Sequence, residues 1–85
     1  MESANPQTVV LYGADWCGDC RRAKAWLNRA GIGFTEIDVE HDERARAEAI
    51  DLAGGRRNIP VVVLPGGAVL VEPTNTELAT ALTIG

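Results

Sequence analysis

Two thiols stand three positions apart in the run Trp16-Cys17-Gly18-Asp19-Cys20, and they are the only cysteines of the 85-residue chain. Their type and spacing admit three uses: a disulfide that opens and closes, half of a four-ligand metal site, or two small apolar side chains. The first fits best. Side chains three apart on a helix have β-carbons about 5–6 Å apart, and a disulfide spans α-carbons about 4.4–6.8 Å apart, so the bond can form and break without refolding. A structural zinc needs two more ligands than the cysteines supply. His41, between Glu40 and Asp42, reads as a solvated loop histidine, and no metal site is expected.

The two sulfurs are not equivalent. Cys17 precedes the first helical turn, near backbone N–H groups with no intrahelical partner, while Cys20 continues into an apolar stripe with Ala23 and Leu27. Cys17 is therefore the expected nucleophile and Cys20 the resolving thiol. The helix terminus favours a thiolate by about 0.3–1 kcal/mol. Arg21, Arg22 and Lys24 stand near enough in sequence to add to that, and Asp15 and Asp19 to oppose it. The chemistry requires an exposed Cys17 sulfur within bonding reach of Cys20.

The elements that must hold this pair follow from the hydrophobic pattern. Thr8 to Tyr12 is a β-branched, apolar run ending at Gly13, a buried first strand that delivers the chain to Trp16 and Cys17. From Asp19 to Ala30 the apolar positions Cys20, Ala23, Leu27 and Ala30 recur every three or four residues, an amphipathic helix stopped by Gly31. Phe34 to Val39 alternates as a half-buried strand. Asp42 caps a second helix with a stripe of Ala45, Ala49 and Leu52, ending at Gly54-Gly55. Pro60 to Leu64 and Ala68 to Val71, joined by Pro65-Gly66-Gly67, form a hairpin, and Thr74-Asn75-Thr76-Glu77 has the spacing of a capping box opening a last helix. The order βαβαββα predicts an α/β fold: a four-stranded mixed sheet flanked by three helices, one domain over residues 8–84 after a short polar arm, 1–7.

Composition narrows the function classes. A net charge of −4 with scattered arginines offers no broad basic surface, so nucleic-acid binding is not expected. The longest apolar run, Ile59 to Leu64, is far short of the roughly 20 residues of a membrane helix. The amino terminus carries Glu2 where a signal peptide carries positive charge. A cytoplasmic monomer is expected, and two cysteines there point to redox work rather than a disulfide scaffold.

The segment from Trp16 to Cys20, with Arg22 and Lys24, resembles the active-site segment of glutaredoxins, most closely the mycoredoxin branch that works with mycothiol. Gly54-Gly55-Arg56-Arg57-Asn58-Ile59-Pro60-Val61 is similar to that family's Gly-Gly and Val-Pro stretch, and Gly66 to Pro73 to its hairpin, so the likeness runs from about Thr8 to Leu82. The resemblance implies a minimal thioredoxin-type fold and a cis peptide before Pro60. It further implies an Ile59 backbone that pairs with bound substrate, and a small-thiol site made by Trp16, Gly18, Asp19, Arg22, the loop Glu72-Pro73-Thr74-Asn75 and the start of the last helix. Glutathione-using relatives usually carry Gly-Gly where Glu72-Pro73 stand here, and often a lysine where this chain has Ala14-Asp15, so mycothiol rather than glutathione is the expected co-substrate. No tightly bound cofactor is expected. The mycoredoxin branch usually has an aromatic residue in place of Asp19.

The expected activity is reduction of mixed disulfides between proteins and a small thiol: Cys17 attacks, takes up the thiol moiety and is regenerated by a second thiol or by Cys20, which is then resolver or bystander, with a small thiol or a thioredoxin or mycothione reductase system as the reducing partner. Two alternatives stand beside it. One is a thioredoxin-like dithiol donor reduced by a flavin-dependent reductase; the other is an iron–sulfur cluster carrier in which Cys17 of two chains and small thiols hold the cluster. Trp16 is expected to shield Cys17, Trp26 to lie in the core or on its rim, and Arg56-Arg57 to form a charged loop that could meet an anionic group.

Overall fold

The computed structural model describes residues 8–82; the expected polar arm, 1–7, and residues 83–84 lie outside them. The elements are β1 (Val9–Gly13), α1 (Gly18–Arg29), β2 (Phe34–Asp38), α2 (Glu43–Leu52), β3 (Val61–Val63), β4 (Val69–Val71) and α3 (Asn75–Leu82). They form one four-stranded sheet in the order β2-β1-β3-β4. β1 pairs parallel with β2, Val9 opposite Phe34, and antiparallel with β3, Leu11 opposite Val62. β3 pairs antiparallel with β4. The central strands are thus β1, which leads into the cysteines, and β3, which follows Pro60.

Period-two alternation sorts the central strands onto two cores. Val9 and Leu11 of β1 and Val62 of β3 point to one face, where they pack with Ala23 and Leu27 of α1 and Leu78 of α3. Tyr12 and Val61 point to the other face and pack with Ala45, Ala49 and Ala53 at α2. Trp26 lies on the rim of the first core. The second and third helices start on side-chain acceptors read in the sequence: Asp42 Oδ1 accepts from Ala45 N at 3.1 Å for α2, and Thr74 and Glu77 bond reciprocally for α3.

One apolar stripe is corrected. The inward row of α2 is Ala45, Ala49 and Ala53, while Leu52 is 36% exposed. Residues four apart stay nearly in line on a helix, and a row of methyl-sized side chains lets α2 lie close on the sheet, leaving the longer Leu52 at its edge. The α1 stripe likewise ends at Leu27, because Ala30 is the exposed C-cap. Among the described residues no helix is long and apolar enough to cross a membrane.

Leu27 is fully buried between α1 and the sheet. Replacing it by alanine is expected to lower the unfolding free energy by about 2–5 kcal/mol in urea titrations, whereas Leu52→Ala at the exposed edge should cost well under about 1 kcal/mol.

Candidate active site

The site begins where β1 ends. Cys17 N donates to Ala14 O at 3.2 Å, which turns the chain, and Cys17 becomes the N-cap of α1 with extended backbone, φ −83° and ψ 115°. Its sulfur does what a serine or aspartate oxygen does at most helix starts: Cys20 N donates to Cys17 Sγ at 3.2 Å. Hydrogen bonds to an ionised acceptor are roughly twice as strong as those to a neutral one. The first turn therefore presents its open donor to the atom that must become anionic.

Cys20 lies one turn deeper and is fully buried, with Ala14 and Cys17 around it and Ile59 against them. Burial first, and the hydrogen bond with the Cys17 side chain second, push the Cys20 thiol up to about 12. Room for its sulfur comes from Gly13, where a β-carbon would stand 2.8 Å from Cys20 Sγ. The sequence marked Gly13 only as a strand end.

The expectation of an exposed nucleophile is corrected in degree. Cys17 is 7% exposed, because capping draws its sulfur in against the first turn and to 3.9 Å from the Ile59 carbonyl oxygen. It reaches the surface through an open groove of about 400 Å³, walled by Trp16, Gly18 and Asp19 on one side and Arg57, Asn58, Ile59 and Glu72 on the other. The peptide Ile59–Pro60 is cis. Trp16 is 65% exposed, and its indole N–H donates to Glu40 Oε1 at 2.9 Å, a tether the sequence did not suggest. Trp16 thus flanks the groove rather than covering the sulfur.

Arg22, Pro73, Thr74 and Asn75 are brought together, but chiefly to bind one another. Arg22 Nη1 donates to Asn75 Oδ1 at 2.7 Å and Nη2 to Pro73 O at 3.0 Å, with Asp19 Oδ1 3.6 Å away. One guanidinium thus ties the cysteine helix to the loop before α3. Thr74 N donates to Glu77 Oε1 at 2.8 Å and Glu77 N to Thr74 Oγ1 at 3.0 Å. Two donors at this helix start, the N–H groups of Thr74 and Glu77, thus have partners within the chain. The nearby cations are engaged too: Arg21 bonds Asp15 O at 2.7 Å and Lys24 pairs with Glu36 at 2.6 Å.

Glu72 is the residue sequence reasoning used least well. Its φ of +50° makes it the one non-glycine in the left-handed region among the described residues. Two bonds hold it there, Glu72 N to Pro60 O at 2.8 Å and Asn58 Nδ2 to Glu72 Oε1 at 2.9 Å. Arg56 bonds Ala53 O at 3.3 Å, and with Arg57 it borders a second cavity, of about 180 Å³, beyond Trp16 and Ile59. His41 Nδ1 lies 2.8 Å from Asp38 Oδ2 on the surface. Among the described residues no group of three or more histidine, cysteine or acidic side chains is placed to hold a metal.

Comparison with known proteins agrees with this geometry. The glutaredoxin family model matches residues 9–69. A Mycobacterium tuberculosis protein described as a glutaredoxin is 36% identical over 75 residues, 87% of this chain and 88% of its own length. A Pseudomonas aeruginosa glutaredoxin is 44% identical over 46 residues, 54% of this chain and 55% of its own. The crystal structure of a glutaredoxin from Archaeoglobus fulgidus superposes with a TM-score of 0.78 at 23% identity, covering 91% of this chain and 87% of that one, a likeness of fold.

A thiol pushed up to about 12 stays protonated at neutral pH. At pH 7.5 the Cys20→Ser protein is therefore expected to take up one iodoacetamide at Cys17, while Cys17→Ser should react at least about tenfold more slowly, a difference read by intact mass. Equal rates would contradict the asymmetry. Gly13→Ala, which pushes on the Cys20 sulfur, should lower stability by about 1–3 kcal/mol.

Proposed function

The chain belongs to the glutaredoxin family of thiol–disulfide oxidoreductases, which act on disulfide substrates together with a thiol, and from that membership we propose that it reduces mixed disulfides between proteins and a low-molecular-weight thiol. The observation that carries the reading is the Cys17 sulfur, seated as N-cap on the Cys20 N–H at 3.2 Å and opening into one groove. The Cys17 thiolate attacks the small-thiol sulfur of the mixed disulfide. A new S–S bond forms on Cys17 as the old one breaks, and the substrate protein leaves as a thiolate that takes a proton from solvent. A second small thiol, as thiolate, then attacks the sulfur of that adduct, frees Cys17 and departs as the small-thiol disulfide. In net terms one free small thiol is consumed, and one small-thiol disulfide released, for each mixed disulfide reduced.

The route through the small thiol is favoured over closure by Cys20 because Cys20 is fully buried, and burial raises the cost of the thiolate that closure needs. Of the small thiols, mycothiol is the proposed partner. Glu72-Pro73 stands where glutathione users usually have Gly-Gly, and the backbone of Glu72 is fastened across to Pro60. The proposed setting is the cytoplasm, where small thiols are kept reduced.

Cys20→Ser is expected to keep turnover on a protein–mycothiol mixed disulfide within about threefold of the unaltered protein, and Cys17→Ser to abolish it. Loss of turnover in Cys20→Ser would move the mechanism to the dithiol route. Supplying the oxidised protein with either mycothiol or a thioredoxin reductase plus NADPH separates the two donors: reduction is expected with the first, and reduction by the second alone would replace this reading with the thioredoxin-like one.

A further inference from the structure

The groove in front of Cys17 continues, past Asp19 and Glu72, into a shallow depression that these two share with Arg22, Thr74 and Asn75. A small thiol joined to Cys17 would pass between the two carboxylates to occupy it. Asp19 stands on the first turn of α1 with its side chain 58% exposed. Glu72 comes from the end of β4, where the bonds to Pro60 O and from Asn58 Nδ2 fix both its backbone and its carboxylate. Of the groups that would welcome an anion here, the side-chain cation and two of the backbone donors are already committed, while the first-turn N–H groups of Asn75 and Thr76 stay open. Arg22 is spent on Asn75, Pro73 and Asp19, and the N–H groups of Thr74 and Glu77 are spent on a capping pair that brings in a third carboxylate. Arg57, which also lines the groove, is the cation left there to oppose them.

We propose that this groove selects the small-thiol half of its substrate by charge, with Glu72 as the specificity-determining residue: a thiol with a carboxylate near its sulfur is disfavoured against a neutral or ammonium-bearing one of similar size. The inference rests on the small-thiol reading above and adds to it the chemical class of the thiol. Like charges a few ångströms apart at a protein surface change an encounter by roughly three- to tenfold, and salt screens the effect within about 10 Å at 0.1 M. Glu72 itself makes no bond to the reacting sulfurs. It acts by presenting a fixed negative charge beside the path.

Three symmetric disulfides of nearly equal size test this: cystamine, hydroxyethyl disulfide and dithiodipropionate, cationic, neutral and anionic. The reduced full-length protein is mixed with each, and the second-order rate of adduct formation on Cys17 is divided by that of free β-mercaptoethanol with the same disulfide. The normalised cystamine-to-dithiodipropionate ratio is expected to be about ten at low salt and to fall towards one at 1 M salt. Glu72→Gln keeps an oxygen for Asn58 to bond and should cut the ratio about threefold or more; Asp19→Asn should move it the same way, and Arg57→Gln the opposite way. A purely structural role for Glu72 would slow all three disulfides together and leave the ratio untouched. A ratio near one in the unaltered protein, one indifferent to salt, or one unmoved by Glu72→Gln overturns the charge selection while leaving the oxidoreductase reading intact. Failure of Cys17 to react with the neutral disulfide would remove both.

Discussion

The site depends on one hydrogen bond at a helix start. The first turn of α1 has backbone donors without intrahelical acceptors, and in this chain the acceptor supplied is a sulfur, Cys17 Sγ on Cys20 N at 3.2 Å. The same contact sets the depth of both thiols. It draws Cys17 nearly under the surface and leaves Cys20 a full turn lower, against Gly13 and Ala14. Placing that turn accurately takes a rigid approach, which β1 provides as a central strand bonded on both sides. The two cores follow from that placement, since a central strand must be covered on both faces.

Much of this could be read from residue types because the signals were local. The continuous apolar run from Val9 to Tyr12, the capping residues Asp42 and Thr74, the glycines after each of the first two helices and the three-residue step between the cysteines are rules of neighbouring residues, and the elements appear within a residue or so of where these rules put them. What could not be read was set by contacts across the chain. Gly13 is needed because Cys20 fills its side-chain space, seven positions on. Trp16 is held by Glu40 and Glu72 by Asn58, at separations of 24 and 14 residues. Leu52 obeyed the helical period yet lost its place to Ala53, because the sheet admits only a methyl at that distance.

The arginines show how charge near an active site can be mainly architectural. From sequence, Arg21, Arg22 and Lys24 formed a cationic neighbourhood for a thiolate. In the fold each spends its donors on the chain itself: Arg21 on Asp15, Arg22 on the loop before α3, Lys24 on Glu36. Arg46 does the same for the turn after β2, bonding Val39 O at 3.1 Å and Glu40 O at 3.0 Å. A guanidinium with five donors is suited to such bridging, since it satisfies several carbonyls from one position. The turn that Arg46 braces carries Glu40, and Glu40 carries Trp16, so a residue remote from sulfur helps place the groove's outer wall.

The strand order has a mutational corollary. The reacting thiol stands at the start of α1, just past a central strand, whereas Glu72 follows β4, which borders the sheet on one side only. Mutations at such a margin disturb few buried neighbours. A change of thiol partner made at that periphery would therefore leave undisturbed the turn at the sheet's centre where sulfur–sulfur bonds are broken.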